Sequence, residues 1–161
     1  MKITFIQTGG TIDKDYPRTT KGYAFEFGDP AVTRVLEKLN PSFEYEILTA
    51  FQKDSQEIED EDREKLLDLV LSLDASKVII THGTDTMMDT ASYLAKKLKD
   101  KVVVITGAMR PEQFSNSDAP VNLGCAIGAC NTLEVGVYIA MHGIVKPYNQ
   151  IKRNMETGKY Y

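Results

Sequence analysis

Three short runs carry hydroxyls and carboxylates at turn-like positions: TGGT at Thr8–Thr11, DSQ at Asp54–Gln56, and THGTDT at Thr81–Thr86. A positioned threonine hydroxyl performs covalent catalysis when another group accepts its proton, which makes Thr11 and Thr84 candidates for chemistry on a carbonyl. Asp85 adds a carboxylate, Ser55 and Gln56 add polar side chains, and Gly83 leaves room for contact with the backbone. Each run also has a plainer reading. TGGT serves equally as a strand followed by a tight turn, and Thr84 with Asp85 as a helix cap with supporting hydrogen bonds. TGGT has too few glycines for a dinucleotide fingerprint and lacks the Lys-Ser/Thr ending of a phosphate loop. His82 reads as a hydrogen-bonded loop residue rather than a general base, and His82 with the distant His142 defines no metal site. No metal or cofactor is implied.

Apolar segments precede these runs and must position them. Lys2–Gln7, with Ile3, Phe5 and Ile6, reads as a first strand broken by Gly9 and Gly10. Phe43, Tyr45 and Ile47 alternate as in a second strand, Val78–Thr81 and Val102–Thr106 are short buried strands, and Val135–Met141 is the last long one. A shorter extended element follows around Gly143–Pro147. Asp29 and Pro30 can cap and start a helix that carries Val32, Val35, Leu36 and Leu39. The acidic stretch from Glu57 to Glu64 opens another that continues through Leu66, Leu67, Val70 and Leu71. Asp85–Leu98 and Asn122–Cys130 are the remaining helices. Asp13–Gly22 is a polar loop, either a lid or a surface excursion, and Gly107–Pro120 is a long turn.

Repeated strand, loop and helix units predict an α/β three-layer sandwich with a mainly parallel central sheet, flavodoxin-like or Rossmann-like. Ligands in such sheets collect beyond the C-terminal strand ends. That rule draws Thr8–Thr11, Ser55, Gln56, Thr81–Asp85 and Thr106–Arg110 toward one rim.

With 161 residues, 42% of them apolar and 26% charged, the chain has the size and composition of one soluble domain with one core. A formal charge of −4 disfavours nucleic acid as a partner held by phosphate attraction. Lys96, Lys97, Lys99 and Lys101 read as a solvated helix end and turn. Cys125 and Cys130 read as small core or subunit-contact residues, since their spacing is unlike that of metal ligands. No run approaches the roughly 20 apolar residues that span a bilayer, and the N-terminal apolar run is too short for a secretory leader, so a cytoplasmic location is expected.

Taken together, TGGTI at Thr8–Ile12, DSQ at Asp54–Gln56, THGTDTM at Thr81–Met87 and GAMRP at Gly107–Pro111 resemble the N-terminal domain of the bacterial-type L-asparaginase and glutaminase family. The resemblance implies that Thr11 is the primary nucleophile and Thr84 the second catalytic threonine. Asp85 and Ser55 would grip the amino and carboxylate ends of the substrate, with Gln56 and Gly83 nearby. Tyr23, in the KGY segment, matches the mobile-loop tyrosine that activates or orients the nucleophile better than Tyr16 does. The implied reaction converts L-asparagine to L-aspartate and ammonia through an acyl-enzyme intermediate.

Two departures accompany the resemblance. The family carries a catalytic lysine, expected in the helix after GAMRP, that interacts with the second threonine and the aspartate. Asn122–Glu134 contains no lysine, and Lys146 and Lys152 lie too late to match. Full-length relatives also have a smaller C-terminal domain, so a single domain spanning residues 1–161 is expected, with a homodimer or higher homo-oligomer supplying missing cover. Retention of Thr11 and Thr84 favours chemistry. The missing lysine favours the alternative, a catalytically degenerate module that binds a small amino acid or regulates. A structural or interaction-only role stands third.

Overall fold

The computed structural model describes residues 1–17 and 25–161. In chain order the elements are β1 (Lys2–Gly9), β2 (Lys14–Asp15), β3 (Glu26–Phe27), α1 (Ala31–Leu39), β4 (Glu44–Lys53), α2 (Asp60–Ser72), β5 (Lys77–Thr81), α3 (Met87–Lys97), β6 (Val102–Thr106), α4 (Ala119–Cys130), β7 (Gly136–Met141) and β8 (Ile144–Pro147), with 3-10 turns at Thr11–Asp13 and Ser55–Glu57. The main sheet has the order β4-β1-β5-β6-β7-β8. All its pairings are parallel except that of β7 with β8.

Alternation along the strands explains the layers, because successive side chains point to opposite faces. Ile3, Phe5, Ile79 and Val104 meet α1 and α4 on one face. Ile6, Val78, Ile80, Val103 and Ile105 meet α2 and α3 on the other. Strands buried on both sides read as near-continuous apolar runs, which is why KVIIT and VVVIT carry no polar alternation. The three-layer α/β sandwich predicted from the sequence is the fold. Its strand order reverses between β1 and β5, the position where doubly wound sheets open a crevice for ligands.

Several local expectations are corrected. The segment read as a loop from Asp13 onward begins with the end of a 3-10 turn and then β2, which pairs antiparallel with β3. β4 runs on to Lys53, beyond the expected end, because Gly9 lets the two backbones stay together across a register shift. Asp29 does not cap α1. It stays exposed, and the Asp13 carboxylate accepts the Ala31 N–H at 2.7 Å instead. The acidic run becomes α2 only from Asp60, where Glu59 and Asp62 form a reciprocal capping box. Lys101 does not belong to the solvated lysine group: the residue is buried and its Nζ donates to Leu73 O at 2.6 Å and Ala75 O at 3.1 Å. Two backbone carbonyls hold that ammonium where an unpaired one would be too costly. Cys125 and Cys130 are both free thiols, and burial pushes Cys130 up to about 11. Among the described residues no helix is long and apolar enough to cross a membrane.

Candidate active site

The turns after β1, β4 and β5 touch through glycine. Gly9 and Gly10 have φ of 103° and 80°, values that side chains strongly disfavour, and they turn the chain sharply off the sheet. Gly10 N–H donates to Lys53 O at 3.0 Å. A methyl group on Gly10 would fall 2.3 Å from the Gly83 nitrogen, and one on Gly83 would fall 2.6 Å from Ser55 Oγ. No side chain fits in that stack. The turns bearing Thr11, Ser55 and Thr84–Asp85 are therefore brought together at the strand reversal, as the rim rule predicted.

Thr11 is half-buried and opens the first 3-10 turn. Two residues on, Asp13 is almost wholly buried and braces that turn. Its Oδ1 accepts the Ala31 N–H, and its Oδ2 accepts the Thr81 hydroxyl at 3.2 Å. The Thr8 hydroxyl donates to Thr81 O at 2.7 Å, closing a second link to β5. Burial raises the Asp13 carboxyl to about 6, against the lowering pull of the Ala31 N–H and Thr81 hydroxyl bonds.

The second turn is held differently. The helix cap offered as the plainer reading of Thr84 and Asp85 is not formed: α3 begins at Met87, and Thr86 at its N-cap makes no side-chain capping bond. The Thr86 hydroxyl instead donates to Ser55 O at 2.7 Å, which ties the second turn to the third. His82 is fully buried, with Nδ1 2.8 Å from Gly83 O and Nε2 2.9 Å from Thr90 Oγ1. Because a carbonyl only accepts, Nδ1 carries the proton and Nε2 accepts from Thr90. Burial lowers the imidazole to about 4, so it is neutral at ordinary pH and acts as a brace.

Asp85 is the exposed charge of the site, with its side chain 47% accessible. Gln56 Nε2 donates to Asp85 Oδ2 at 2.8 Å, and Arg153 Nη1 donates to Asp85 Oδ1 at 3.2 Å. Arg153 Nη1 also lies 3.3 Å from Thr84 O. Reading the sequence alone missed Arg153, having sought a lysine in α4 and set Lys146 and Lys152 aside. The cation comes from the C-terminal segment, where Arg153 bridges Tyr160 antiparallel. Asn154, accepting the Glu156 and Thr157 N–H groups, and Gly158 at φ 69° form the connecting turn. That Asn-to-Gly turn signal was the available clue.

The remaining candidates sort plainly. Ser55 is buried, Gln56 exposed, and Gly83 buried between Gly10 and Ser55. GAMRP is structural: Asp118 accepts the Met109 and Arg110 N–H groups, and Asn122 Nδ2 donates to Gly107 O at 2.9 Å. Tyr23 lies outside the described residues, while Tyr16 packs its ring against Phe25 and Phe114. A cleft of about 340 Å³ between the β2–β3 pair and Gln52 is walled by neither Thr11 nor Asp85, so it is distinct from this site. Among the described residues no group of three or more His, Cys, Asp or Glu converges as a metal would require.

The doubly wound sheet is an arrangement shared with solved L-asparaginases. The thermostable L-asparaginase from Thermococcus kodakarensis matches 95% of this chain and 48% of its own, with a TM-score of 0.82 at 28% identity. The family described as "Asparaginase, N-terminal" matches residues 2–158, and the chain belongs to that family. The glutaminase-asparaginase of Acinetobacter glutaminasificans is 30% identical over 151 residues, covering 87% of this chain and 46% of its own. A glutamyl-tRNA(Gln) amidotransferase subunit from Pyrococcus horikoshii is 33% identical over 152 residues, covering 88% of this chain and 33% of its own. The chain thus spans about half the length of these relatives, or less.

Proposed function

We propose that this domain hydrolyses the side-chain amide of L-asparagine to L-aspartate and ammonia. The single observation that carries the reading is the interlocked stack of Gly10, Gly83 and Ser55, which sets the Thr11 turn beside the pinned Asp85 carboxylate. In this mechanism Thr11 Oγ attacks the amide carbonyl, with Tyr23 activating or orienting the hydroxyl. The C–N bond breaks, the leaving nitrogen takes up a proton, and ammonia departs. Water then attacks the ester on Thr11 and releases aspartate. Asp85 takes the substrate ammonium, Ser55 its carboxylate, and Gln56 and Gly83 complete the wall. Thr84 supplies the second catalytic hydroxyl, and its turn aims donors at the developing oxyanion.

The proposal includes a single asparaginase N-terminal-like domain over residues 1–161, a cytoplasmic location, and a homodimer or higher homo-oligomer. The exposed apolar side chains of Val121 and Val135 and the outer edge of β4, unpaired among the described residues, support self-association, which sedimentation would measure. Ammonia and aspartate release after addition of asparagine, compared among parent, Thr11→Ala and Thr84→Ala proteins, tests the reaction. Glutamine run in parallel tests specificity, since one methylene alters fit by only about 1–3 kcal/mol.

A second reading has its own observation. The cation beside Asp85 is a guanidinium, whose planar fork of donors matches a carboxylate and favours holding a ligand. On that reading the domain binds a small acidic amino acid or regulates without turnover. A folded protein that releases no ammonia yet is stabilised against heat by L-aspartate would establish it.

A further inference from the structure

His82 is the middle of a longer chain of hydrogen bonds, and the reaction above leaves its outer links unused. Arg63, on α2, has a side chain only 11% exposed. Its Nη1 donates to the exposed Asp60 Oδ1 at 3.0 Å, and its Nε donates across to α3, to Thr90 Oγ1 at 3.3 Å. Thr90 is wholly buried and lies 2.9 Å from His82 Nε2, while His82 Nδ1 lies 2.8 Å from Gly83 O. The imidazole between them cannot drift, because the His82 N–H donates to Thr106 O at 2.9 Å and so fixes its backbone to the end of β6.

The two ends of the chain assign every proton in it. A guanidinium donates and never accepts, and a carbonyl accepts and never donates. Thr90 Oγ1 therefore accepts from Arg63 and has its single proton left for His82 Nε2, while the neutral ring keeps its own proton on Nδ1, toward Gly83 O. All three bonds run the same way, from a cation on the helical layer to one backbone oxygen at the rim. Bonds in such a series strengthen one another, by roughly 10–30% each. The oxygen at the end belongs to the peptide that joins Gly83 to Thr84. Among the described residues the N–H of that peptide engages no acceptor, although Thr86 ties the same turn to Ser55. Pulling electron density toward the carbonyl oxygen makes the N–H of the same peptide a stronger donor.

We infer that Arg63 and Thr90 act through His82 as positioning residues, which fix the Gly83–Thr84 peptide and strengthen its N–H as a donor to the negative charge that develops on the bound amide. The inference rests on the hydrolysis proposed above, in which that turn aims donors at the oxyanion. A donor aimed where charge develops acts on the transition state more than on the bound substrate, so its strength enters kcat rather than KM.

The test uses the isotopically labelled full chain and the variants Thr90→Val, Thr90→Ser and Arg63→Met. NMR gives the proton shift of the Thr84 amide, and ammonia release from asparagine gives kcat and KM. Thr90→Val removes the hydroxyl at constant shape: the Thr84 amide proton should move upfield and kcat should fall about tenfold, with KM within about twofold of the parent. Thr90→Ser restores the hydroxyl and should return both readings to the parental values. Arg63→Met keeps the test open should Thr90→Val not fold, with an upfield shift and a fall in kcat of about threefold. Variants whose Thr84 amide stays in place overturn the inference, as does an active parent whose kcat they leave unchanged or whose loss falls on KM alone. In either case an active parent leaves the hydrolysis standing. If the parent releases no ammonia, yet the amide moves in Thr90→Val and returns in Thr90→Ser, the hydrolytic reading fails and the chain keeps its hold on the peptide.

Discussion

The Thr11 turn and the Thr84–Asp85 turn leave adjacent parallel strands at the same level, with Gln7 facing Thr81, yet opposite chemistry anchors them. A buried acid, Asp13, braces the first through a helix N–H and a threonine hydroxyl. A buried imidazole, His82, braces the second through a carbonyl and another threonine. Above the braces the contrast continues. Asp85 is clamped by Gln56 and by Arg153 from 68 residues away, whereas no hydrogen bond engages the Thr11 hydroxyl among the described residues.

The sharpest way to break this contrast is Thr11→Ala. On the proposed mechanism ammonia release should fall by at least about three orders of magnitude while L-aspartate binding stays near parental, since losing the proposed nucleophile removes chemistry and not grip. Gly10→Ala strikes the contact between the turns instead. A methyl 2.3 Å from the Gly83 nitrogen, at φ of 80°, should destabilise the fold by roughly 2–4 kcal/mol in a denaturant titration.

The two braces differ in the sign of their pH dependence. The raised carboxyl of Asp13 makes the folded state bind more protons than the unfolded one between pH about 4 and 6, so its contribution to stability falls as pH rises through that window. The lowered imidazole of His82 makes the unfolded state bind more protons between about 4 and 6.5, so its contribution rises with pH. Each amounts to about 3 kcal/mol, and in the parent they largely cancel. Asp13→Asn should therefore expose a stability that climbs from pH 4 to 6.5, and His82→Gln one that declines, both read from urea midpoints. A smaller effect is expected from Arg153→Lys, which keeps the charge beside Asp85 but loses the planar fork of donors: L-aspartate binding should weaken by about threefold or less, read by calorimetry.

The layers were legible because buried parallel strands need unbroken apolar runs, and KVIIT and VVVIT could be little else. The turns after β1, β4 and β5 were legible for a related reason: glycines and hydroxyls directly after such runs mark the rim. What stayed hidden was set by contacts distant in sequence. Asp29 beside Pro30 had every local mark of a cap, but Asp13 reached the Ala31 N–H first. Lys101 looked like one more surface lysine until the carbonyls of Leu73 and Ala75 came together around it. Arg153 lay beyond the last expected element, and only the return of the chain to Tyr160 turned it toward Asp85.

Ser55 and Gln56 hang from the far end of β4, which borders the sheet and among the described residues pairs there with β1 alone, while β1 is sandwiched between β4 and β5. Border strands fray more readily than interior ones, so two of the groups assigned to the ligand ride on the least protected part of the scaffold. Deuterium uptake should register occupancy of the crevice mainly as slowed exchange at Phe51–Lys53, with β1 almost silent.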